Sequence, residues 1–357
     1  TGSQNVAVGR DAMGANTTAS ENTSVGYQSM YTNTTGGQNV AVGTYALYPQ
    51  TTGANNTAVG YNAGGGVTTG SNNVIVGQRA GQAITTASFN TTVGRIAATA
   101  LTEGQRNTAL GYAALQTDTK GSRNVALGFN ALGGQNFTSA TDSYNVAIGY
   151  DAGGSLSTGD QCTLVGGLVG DALTNNNQIT MLGYNLAASS SSGTSREIVI
   201  GSNGTGGGSN TVRFATSVGI ATLNIDGSDT SWAAASDLRL KKDVEDSTVG
   251  LSFINDLRPI TFKWNNKNAI ADSLPQYDSE SSDPVFGEGK AHHGFIAQEV
   301  KTVIDSHSDV VNGHNIWAED PDGTQQVAPS ALIPMLVKAI QELSAKNDAL
   351  EARIATL

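Results

Sequence analysis

The chain has 357 residues, of which 44 are glycine and only 14% are charged, and its formal net charge is −11. This acidic balance argues against a nucleic-acid-binding protein, and no apolar run is long enough for membrane insertion. The 4 histidines and the single cysteine have unrelated spacings, so we expect no metal site and no other cofactor.

A 17-residue repeat fills the first part of the chain. The segment NVAVG at residues 5–9 returns with small changes, and eight copies end at glycines 17 residues apart. Four further copies follow at steps of 21, 17, 17 and 18 residues, which gives twelve. The closing glycines are Gly9, Gly26, Gly43, Gly60, Gly77, Gly94, Gly111, Gly128, Gly149, Gly166, Gly183 and Gly201.

The columns of this repeat predict a strand. Three residues before each closing glycine the side chain is always β-branched, and one residue before it is always Val, Leu or Ile. Because side chains alternate along a strand, these two apolar columns share one face and the small residue between them lies on the other. Nine copies carry Asn four residues before the glycine, where stacked amides can hydrogen-bond. Cys162 occupies this column in its own copy, so we expect a packed, unreactive thiol.

One 17-residue unit cannot bury its own apolar face, so the copies must stack. We predict a parallel β-roll or β-helix over residues 1–204, with one coil per repeat and two short strands in each coil. The alternative is an antiparallel sandwich, which would not need such a strict period. Residues 205–235 are predicted to be a connector with one or two short strands and a turn at Asp226–Gly227.

The segment SDLRLKKDV at residues 236–244 is the first dense charged cluster. A serine hydroxyl needs a base to act as a nucleophile, and a lysine serves only if burial or neighbouring cations destabilise its ammonium. Arg239 and Lys242 are such neighbours of Lys241. The alternative is a solvated turn with surface ion pairs.

Helical patterns dominate the end of the chain. Residues 250–266 predict a short helix followed by a strand, and residues 292–304 predict a strand or turn followed by an amphipathic helix. From Pro329 onward, apolar residues alternate at spacings of three and four, with Asn347 among them. We predict a coiled coil between chains over about residues 329–357. A helix packed on its own domain is the alternative.

The NVAVG columns resemble the head repeats of trimeric autotransporter adhesins, over about residues 2–204. Those heads are left-handed parallel β-rolls that assemble as trimers, and phage fibre shafts carry repeats of the same style. The resemblance implies a homotrimer.

Residues 236–357 resemble the C-terminal intramolecular chaperone domain of phage tailspikes, endosialidases and tail fibres, a self-cleaving serine peptidase family. The motifs SDLRLKKDV, LRPITFKW, HHGFIAQEV and ALIPMLVKAIQEL stand in the family's order. The resemblance implies cleavage between Ala235 and Ser236, with Ser236 as nucleophile and Lys241 as its partner in a Ser–Lys dyad. The remaining candidates are Asp237 within the motif, Lys242 as a second possible base, Arg239, backbone amides or His292 as oxyanion stabilisers, and Glu299 or Gln298 as orienting groups.

The whole sequence therefore predicts a mainly β protein: a trimeric shaft of twelve repeats, a connector, and a small α+β chaperone domain over residues 236–357 that ends in a trimeric coiled-coil helix. We expect the distal part of a phage tail fibre, made in the host cytoplasm and carried in the virion. It would join the rest of the fibre upstream of Thr1 and bind a host cell-surface glycan or protein. The alternatives are a bacterial trimeric surface adhesin and a polysaccharide-degrading tailspike. The tailspike would need a pair of acids about 5–9 Å apart on the shaft, where we expect no turnover enzyme.

Overall fold

The computed structural model describes residues 2–193, 196–217, 219–225, 233–234 (backbone only), 238, 241–274, 276–286, 289–310, 315–320 and 323–356. The chain forms two compact units, Thr1–Asp237 and Leu238–Leu357.

The first unit is a β-solenoid of about 12 coils. Its strands are β1 Val6–Val8, β2 Thr23–Val25, β3 Val40–Val42, β4 Thr57–Val59, β5 Val74–Val76, β6 Thr91–Val93, β7 Thr108–Leu110, β8 Gly121–Ser122, β9 Val125–Leu127, β10 Thr141–Asp142, β11 Val146–Ile148, β12 Thr163–Val165, β13 Thr180–Tyr184 and β14 Glu197–Ser202. All of them except β8 and β10 line up in one sheet, and β8 and β10 pair with each other.

Neighbouring coils pair in parallel and in register. Val40 lies opposite Thr57 and Val42 opposite Val59, and the equivalent positions of successive repeats continue this pairing. The predicted parallel stack is therefore confirmed, and the sandwich is wrong. The expectation of two strands per coil is wrong for most coils, because the rest of each coil consists of turns. In the coil that follows β3, for example, Tyr45 and Leu47 have left-handed backbone, with φ of 59° and 47°. An extended strand cannot accommodate this conformation.

The small column faces the solenoid interior and the two apolar columns face outward. Ala41, Ala58 and Ile75 are fully buried, whereas Val40 and Val42 are 36% and 37% exposed. Apolar residues of the turns, such as Ala46 and Leu47, complete the interior. The alternation predicted from the sequence is correct, but a coil this small has room inside only for the smaller column and the turn residues.

The asparagine column forms the predicted ladder. The Asn73 side-chain amide donates to Asn56 Oδ1 and to the Ala87 carbonyl oxygen, both at 3.0 Å, and the Asn73 backbone N–H also donates to Asn56 Oδ1. At Cys162 the backbone N–H still donates to Asn145 Oδ1, at 2.9 Å. Burial raises the pKa of the Cys162 thiol to about 11. The thiol is therefore protonated at neutral pH, as expected of a packed, unreactive cysteine.

The closing glycine brings neighbouring coils into close contact. At Gly43, φ is 135°, and a Cβ atom would lie 2.4 Å from the carbonyl oxygen of Gly60. Only glycine combines this backbone conformation with this approach.

Three further strands end the first unit. β15 Thr211–Ala215 pairs in parallel with β14, and β16 Ile220–Asn224 and β17 Ala233–Ala234 follow in antiparallel order. The connector therefore contains a hairpin, with its turn between Thr216 and Gly219. The turn predicted at Asp226–Gly227 lies outside the described residues.

The second unit is a small mixed domain. Its helices are α1 Leu251–Asp256, α2 Ala297–Ser306 and α3 Ile333–Ile354, and its strands are β18 Ile260–Phe262, β19 His292–Gly294, β20 Trp317–Glu319 and β21 Gln325–Val327. β18 pairs with β19 and β20 with β21, both antiparallel. The core packs around Phe253, Val300, Ile304, Ile316 and Leu332. Among the described residues, no helix has both the length and the apolar character that crossing a membrane requires.

Candidate functional site

The predicted cleavage site lies largely outside the described residues, which include none of Ala235, Ser236, Asp237 and Arg239. The two candidate bases are described, and both are exposed. The Lys241 backbone N–H donates to the Leu238 carbonyl oxygen at 3.1 Å, and Lys242 Nζ lies 3.8 Å from Asp243 Oδ2. The pairing of Ser236 with either lysine stays a prediction.

His292 lies on β19, within an aromatic cluster. Its ring centroid is 5.7 Å from that of Phe262 and 6.4 Å from that of Trp264. Its Nε2 atom is buried and has no hydrogen-bond partner within the described part of the chain. A buried polar atom without a partner is costly, so this nitrogen is a candidate donor or acceptor for a group outside the described residues. The adjacent His293 instead pairs through Nδ1 with Thr261 Oγ1, at 3.1 Å.

Glu299 is held by an arginine. Arg258 donates from Nε to Oε2 at 2.9 Å and from Nη2 to Oε1 at 2.5 Å. These hydrogen bonds, together with the positive charge of Arg258, lower the pKa of Glu299 despite some desolvation. The pair joins α2 to the segment between α1 and β18. The described contacts of Glu299 therefore connect the LRPITFKW and HHGFIAQEV motifs and do not include His292.

Two contacts of this unit were not predicted from the sequence. His307 Nε2 lies 2.8 Å from Asp256 Oδ2, and the His307 ring packs edge-on against Phe253. Glu342, on α3, accepts the backbone N–H of Leu251 through Oε2 at 2.9 Å. The partners in these contacts are 51 and 91 residues apart, and no local spacing predicts pairs that only the folded chain brings together.

Helix α3 has two different faces. On one face, Leu332 just before the helix belongs to the unit's own core, Met335 packs against that core, and Ala339 is buried. The other face is the predicted heptad seam, where Ile340 is 66% exposed and Ile354 is 69% exposed. The remaining large exposed residues of the seam are Ile333, Leu336, Leu343 and Leu350.

One comparison with known proteins gave a match. Residues 236–309 match the family described as chaperone of endosialidase, a serine peptidase family, and the match starts at the serine proposed as nucleophile. Searches among curated proteins and among solved structures returned no match. In the described residues, no cluster of His, Cys, Asp and Glu could hold a metal ion. The match to a chaperone of an autoproteolytic serine peptidase family, preceded by a β-solenoid, fits a protein of the tail fibre or tailspike type.

Proposed function

We propose that this chain is the distal part of a phage tail fibre, whose C-terminal domain directs trimerisation and folding of the solenoid and then cleaves itself off between Ala235 and Ser236. The mature rod is carried in the virion and binds the host surface. The observation that carries this proposal is the coincidence of two boundaries. The family match begins at residue 236, and the first compact unit ends at Asp237. A cut before Ser236 would separate the two units almost where the chain itself divides.

The proposed reaction uses the serine at the new N-terminus. Ser236 Oγ attacks the carbonyl carbon of Ala235, and Lys241 takes the hydroxyl proton. The peptide C–N bond breaks, the Ser236 nitrogen takes up a proton, and the Ala235 carbonyl is left as an ester on Oγ. Water then hydrolyses the ester, which releases the Ala235 carboxylate and regenerates the hydroxyl. The negative charge on the attacked oxygen needs donors, for which Arg239, backbone amides and His292 are the candidates.

The exposure of Lys241 supports a link between cleavage and assembly. A lysine acts as a base only where burial or nearby cations destabilise its ammonium form, and in the single chain Lys241 is exposed. We propose that neighbouring chains in the trimer supply that burial. The buried Nε2 atom of His292, which has no hydrogen-bond partner among the described residues, also supports activation by assembly. A neighbouring chain of the trimer would provide that partner. The site would then become active only after assembly, and Lys242 remains the second candidate base.

Each unit separately supports the trimer with an apolar surface that one chain leaves uncovered. In the solenoid this surface consists of the outward columns, of which Val8 is 57% and Leu110 is 43% exposed. In the second unit it is the seam of α3. Full burial of one such aliphatic side chain contributes about 1.5–3 kcal/mol, so a continuous stripe of them favours association.

Self-removal of the chaperone would make the finished rod kinetically stable. A parallel stack of coils has many contacts between chain segments far apart in sequence, and its edges are exposed while it forms. A domain that holds three chains in register overcomes this difficulty during folding. Once this domain has been released, an unfolded rod can no longer find its register, so loss of the fold becomes practically irreversible.

The test is a denaturing gel with intact-mass analysis of the full chain and two variants. We expect the wild type to give two fragments, one ending at Ala235 and one starting at Ser236. Ser236→Ala should remain whole. Ser252→Ala, which changes an exposed serine on α1, should be cut like the wild type. An uncut wild type, or a Ser236→Ala chain cut at the same bond, would overturn the proposal.

A further inference from the structure

One exposed column of the solenoid changes character in four consecutive coils, and a second column carries an unbroken run of arginine and aromatic residues in the same coils. The upstream column is the residue five positions before each closing glycine, and the downstream column is the residue directly after it. In the first five coils the upstream column is uncharged polar or acidic, in coils ten and eleven it is Gln, and in coil twelve it is Arg196. In coils six to nine it becomes Phe89, Arg106, Arg123 and Tyr144.

The downstream column carries arginine or aromatic residues in several coils, but only coils six to nine have them in an unbroken run of four, which reads Arg95, Tyr112, Phe129 and Tyr150. The three aromatic rings stack along the solenoid, with centroids 5.1 and 5.2 Å apart and planes within 12° of parallel. All three remain 41% to 57% exposed. Arg95 lies over the Tyr112 ring, 5.5 Å from its centroid, and so continues the stack.

The fold does not require these residues. Gln38, Phe89 and Arg106 occupy the same column with nearly the same left-handed backbone, at φ of 60°, 63° and 57°. The parallel strand pairing continues through these coils, and in each of them the asparagine backbone N–H donates to the Oδ1 atom of the preceding asparagine. An exposed phenylalanine in left-handed backbone gives the coil no packing benefit over glutamine. A surface role is therefore the better explanation for the change.

Positive charge gathers in the same place. Residues 89–150, which span the two columns of coils six to nine, contain four basic and three acidic residues, in a chain whose net charge is −11. Of the three acids, Asp118 is fully buried, Glu103 pairs with Lys120 at 3.0 Å and Asp142 pairs with Arg123.

Two arginines of the columns have no acid paired with them in the described part of the chain, although Arg95 donates from Nε to Gln78 Oε1 at 3.0 Å and from Nη1 to Tyr112 Oη at 3.3 Å. Among the described residues, neither Arg95 nor Arg106 forms a salt bridge. Arg106 lies over the Phe89 ring, 5.7 Å from its centroid. Arg123, in contrast, is paired with Asp142 at 2.9 Å. The surface of coils six to nine therefore presents unneutralised guanidinium groups next to exposed aromatic rings.

We propose that the two columns of coils six to nine form a binding band for an anionic, carboxylate-bearing oligosaccharide. Guanidinium groups bind carboxylates through paired hydrogen bonds, and aromatic rings pack against the C–H faces of sugar rings. Each column presents one side chain per coil, at about the spacing of paired strands. Such a linear surface suits a linear ligand built from repeated sugar units. This inference rests on the proposed role in host attachment and assigns it a ligand class.

The test measures binding of the full chain to an immobilised oligogalacturonate and to a hyaluronan oligosaccharide, with a neutral maltooligosaccharide of equal length for comparison. We expect binding to the two acidic chains only, weakening as salt is added. The double variant Arg95→Gln, Arg106→Gln should bind about tenfold or more weakly, because it loses two charge-assisted contacts. Phe89→Gln should weaken binding less. Glutamine already occupies both columns elsewhere, at Gln38 and Gln78, so the variants should fold.

Arg10→Gln is the matched control. Arg10 also lies in the downstream column and over an aromatic ring, that of Tyr27, but in the first coil and 3.5 Å from Asp11. Its loss should leave affinity unchanged. The proposal is overturned if the wild type binds neither acidic chain, if the neutral chain binds equally well, or if Arg10→Gln weakens binding as much as the double variant. It is also overturned if the double variant lowers only the trimer population, because the columns would then contact neighbouring copies. Cleavage at residue 235, monitored in every sample, keeps failure here separate from failure of the proposed function.

Discussion

The side-chain hydrogen bonds of the solenoid and those of the C-terminal unit differ in the sequence separation of the residues they join. In the solenoid, side-chain hydrogen bonds mostly join residues one coil apart, as between Asn56 and Asn73. In the C-terminal unit many are local, but those that join separate elements span much larger separations, 41 residues at Arg258–Glu299 and 91 at Leu251–Glu342. A stack of near-identical coils can pair in several registers at similar energy, whereas contacts made only once admit a single arrangement. This difference supports the proposed chaperone role, because a non-repetitive domain in the same chain would set a register that the repeats alone leave open.

The largest expected effect comes from breaking the seam of α3. Leu343→Lys combined with Leu350→Lys places two charges on the exposed apolar face, and we expect both trimer formation and cleavage to be lost. Light scattering and a denaturing gel measure these two outcomes. Ala345→Lys with Ala352→Lys adds the same charges at exposed positions outside the seam and should leave both unchanged. A seam variant that is monomeric yet fully cut would separate cleavage from assembly.

A substitution at a closing glycine should strongly destabilise the solenoid. In Gly43→Ala the new Cβ lies 2.4 Å from the Gly60 carbonyl oxygen, and φ is 135°. We expect a cost of about 3 kcal/mol or more, seen as a lower thermal midpoint by circular dichroism. Gly219→Ala is the control, because nothing lies within 4 Å of its Cβ position. Equal midpoints for the two variants would contradict the close-contact argument.

The asparagine ladder should show a smaller and more local effect. Asn73→Ala removes the acceptor of the Asn90 backbone N–H, which lies 3.0 Å from Asn73 Oδ1. Leaving this buried group without a partner should cost about 2 kcal/mol. Hydrogen exchange at Asn90 should accelerate more than exchange several coils away. Asn72→Gln changes the exposed neighbour to a residue found in the same column elsewhere and should leave exchange unaltered. Uniform acceleration along the rod would argue against a local role.

The smallest effect is expected at the exposed ion pair of the C-terminal unit. Because Arg258 lowers the pKa of Glu299, the pair stabilises the fold above the carboxyl's unfolded pKa. That contribution is lost as the pH falls through the lowered value. The thermal midpoints of wild type and Arg258→Ala should therefore differ slightly at neutral pH and converge in acid. Lys301→Ala, which breaks a pair with Asp305 within α2, is the control. A difference that grows in acid would contradict this assignment.

Sequence patterns predicted the site less completely than the fold. The motif SDLRLKKDV indicated Ser236 and Lys241 through its resemblance to a family, whereas the exposure of Lys241 and the Lys242–Asp243 pair in the single chain correspond to the alternative of a solvated turn. Glu299 was expected to orient catalytic groups, and its described contacts are with Arg258. Such pairings depend on which elements pack together, so residue type and spacing leave them open.

The sequence by itself determined the period of the solenoid, the asparagine ladder and the alternation of side chains within each strand. These features are local or repeat at a fixed interval, so each follows from backbone geometry and from the need to stack. Only the tertiary structure decided that the small column lies inside while Val40 and Val42 lie outside, and that most coils have a single strand. The physical reason is space. The interior width of a closed coil decides which of the two strand faces has side chains small enough to point inward. The alternation of side chains along a strand does not specify this width.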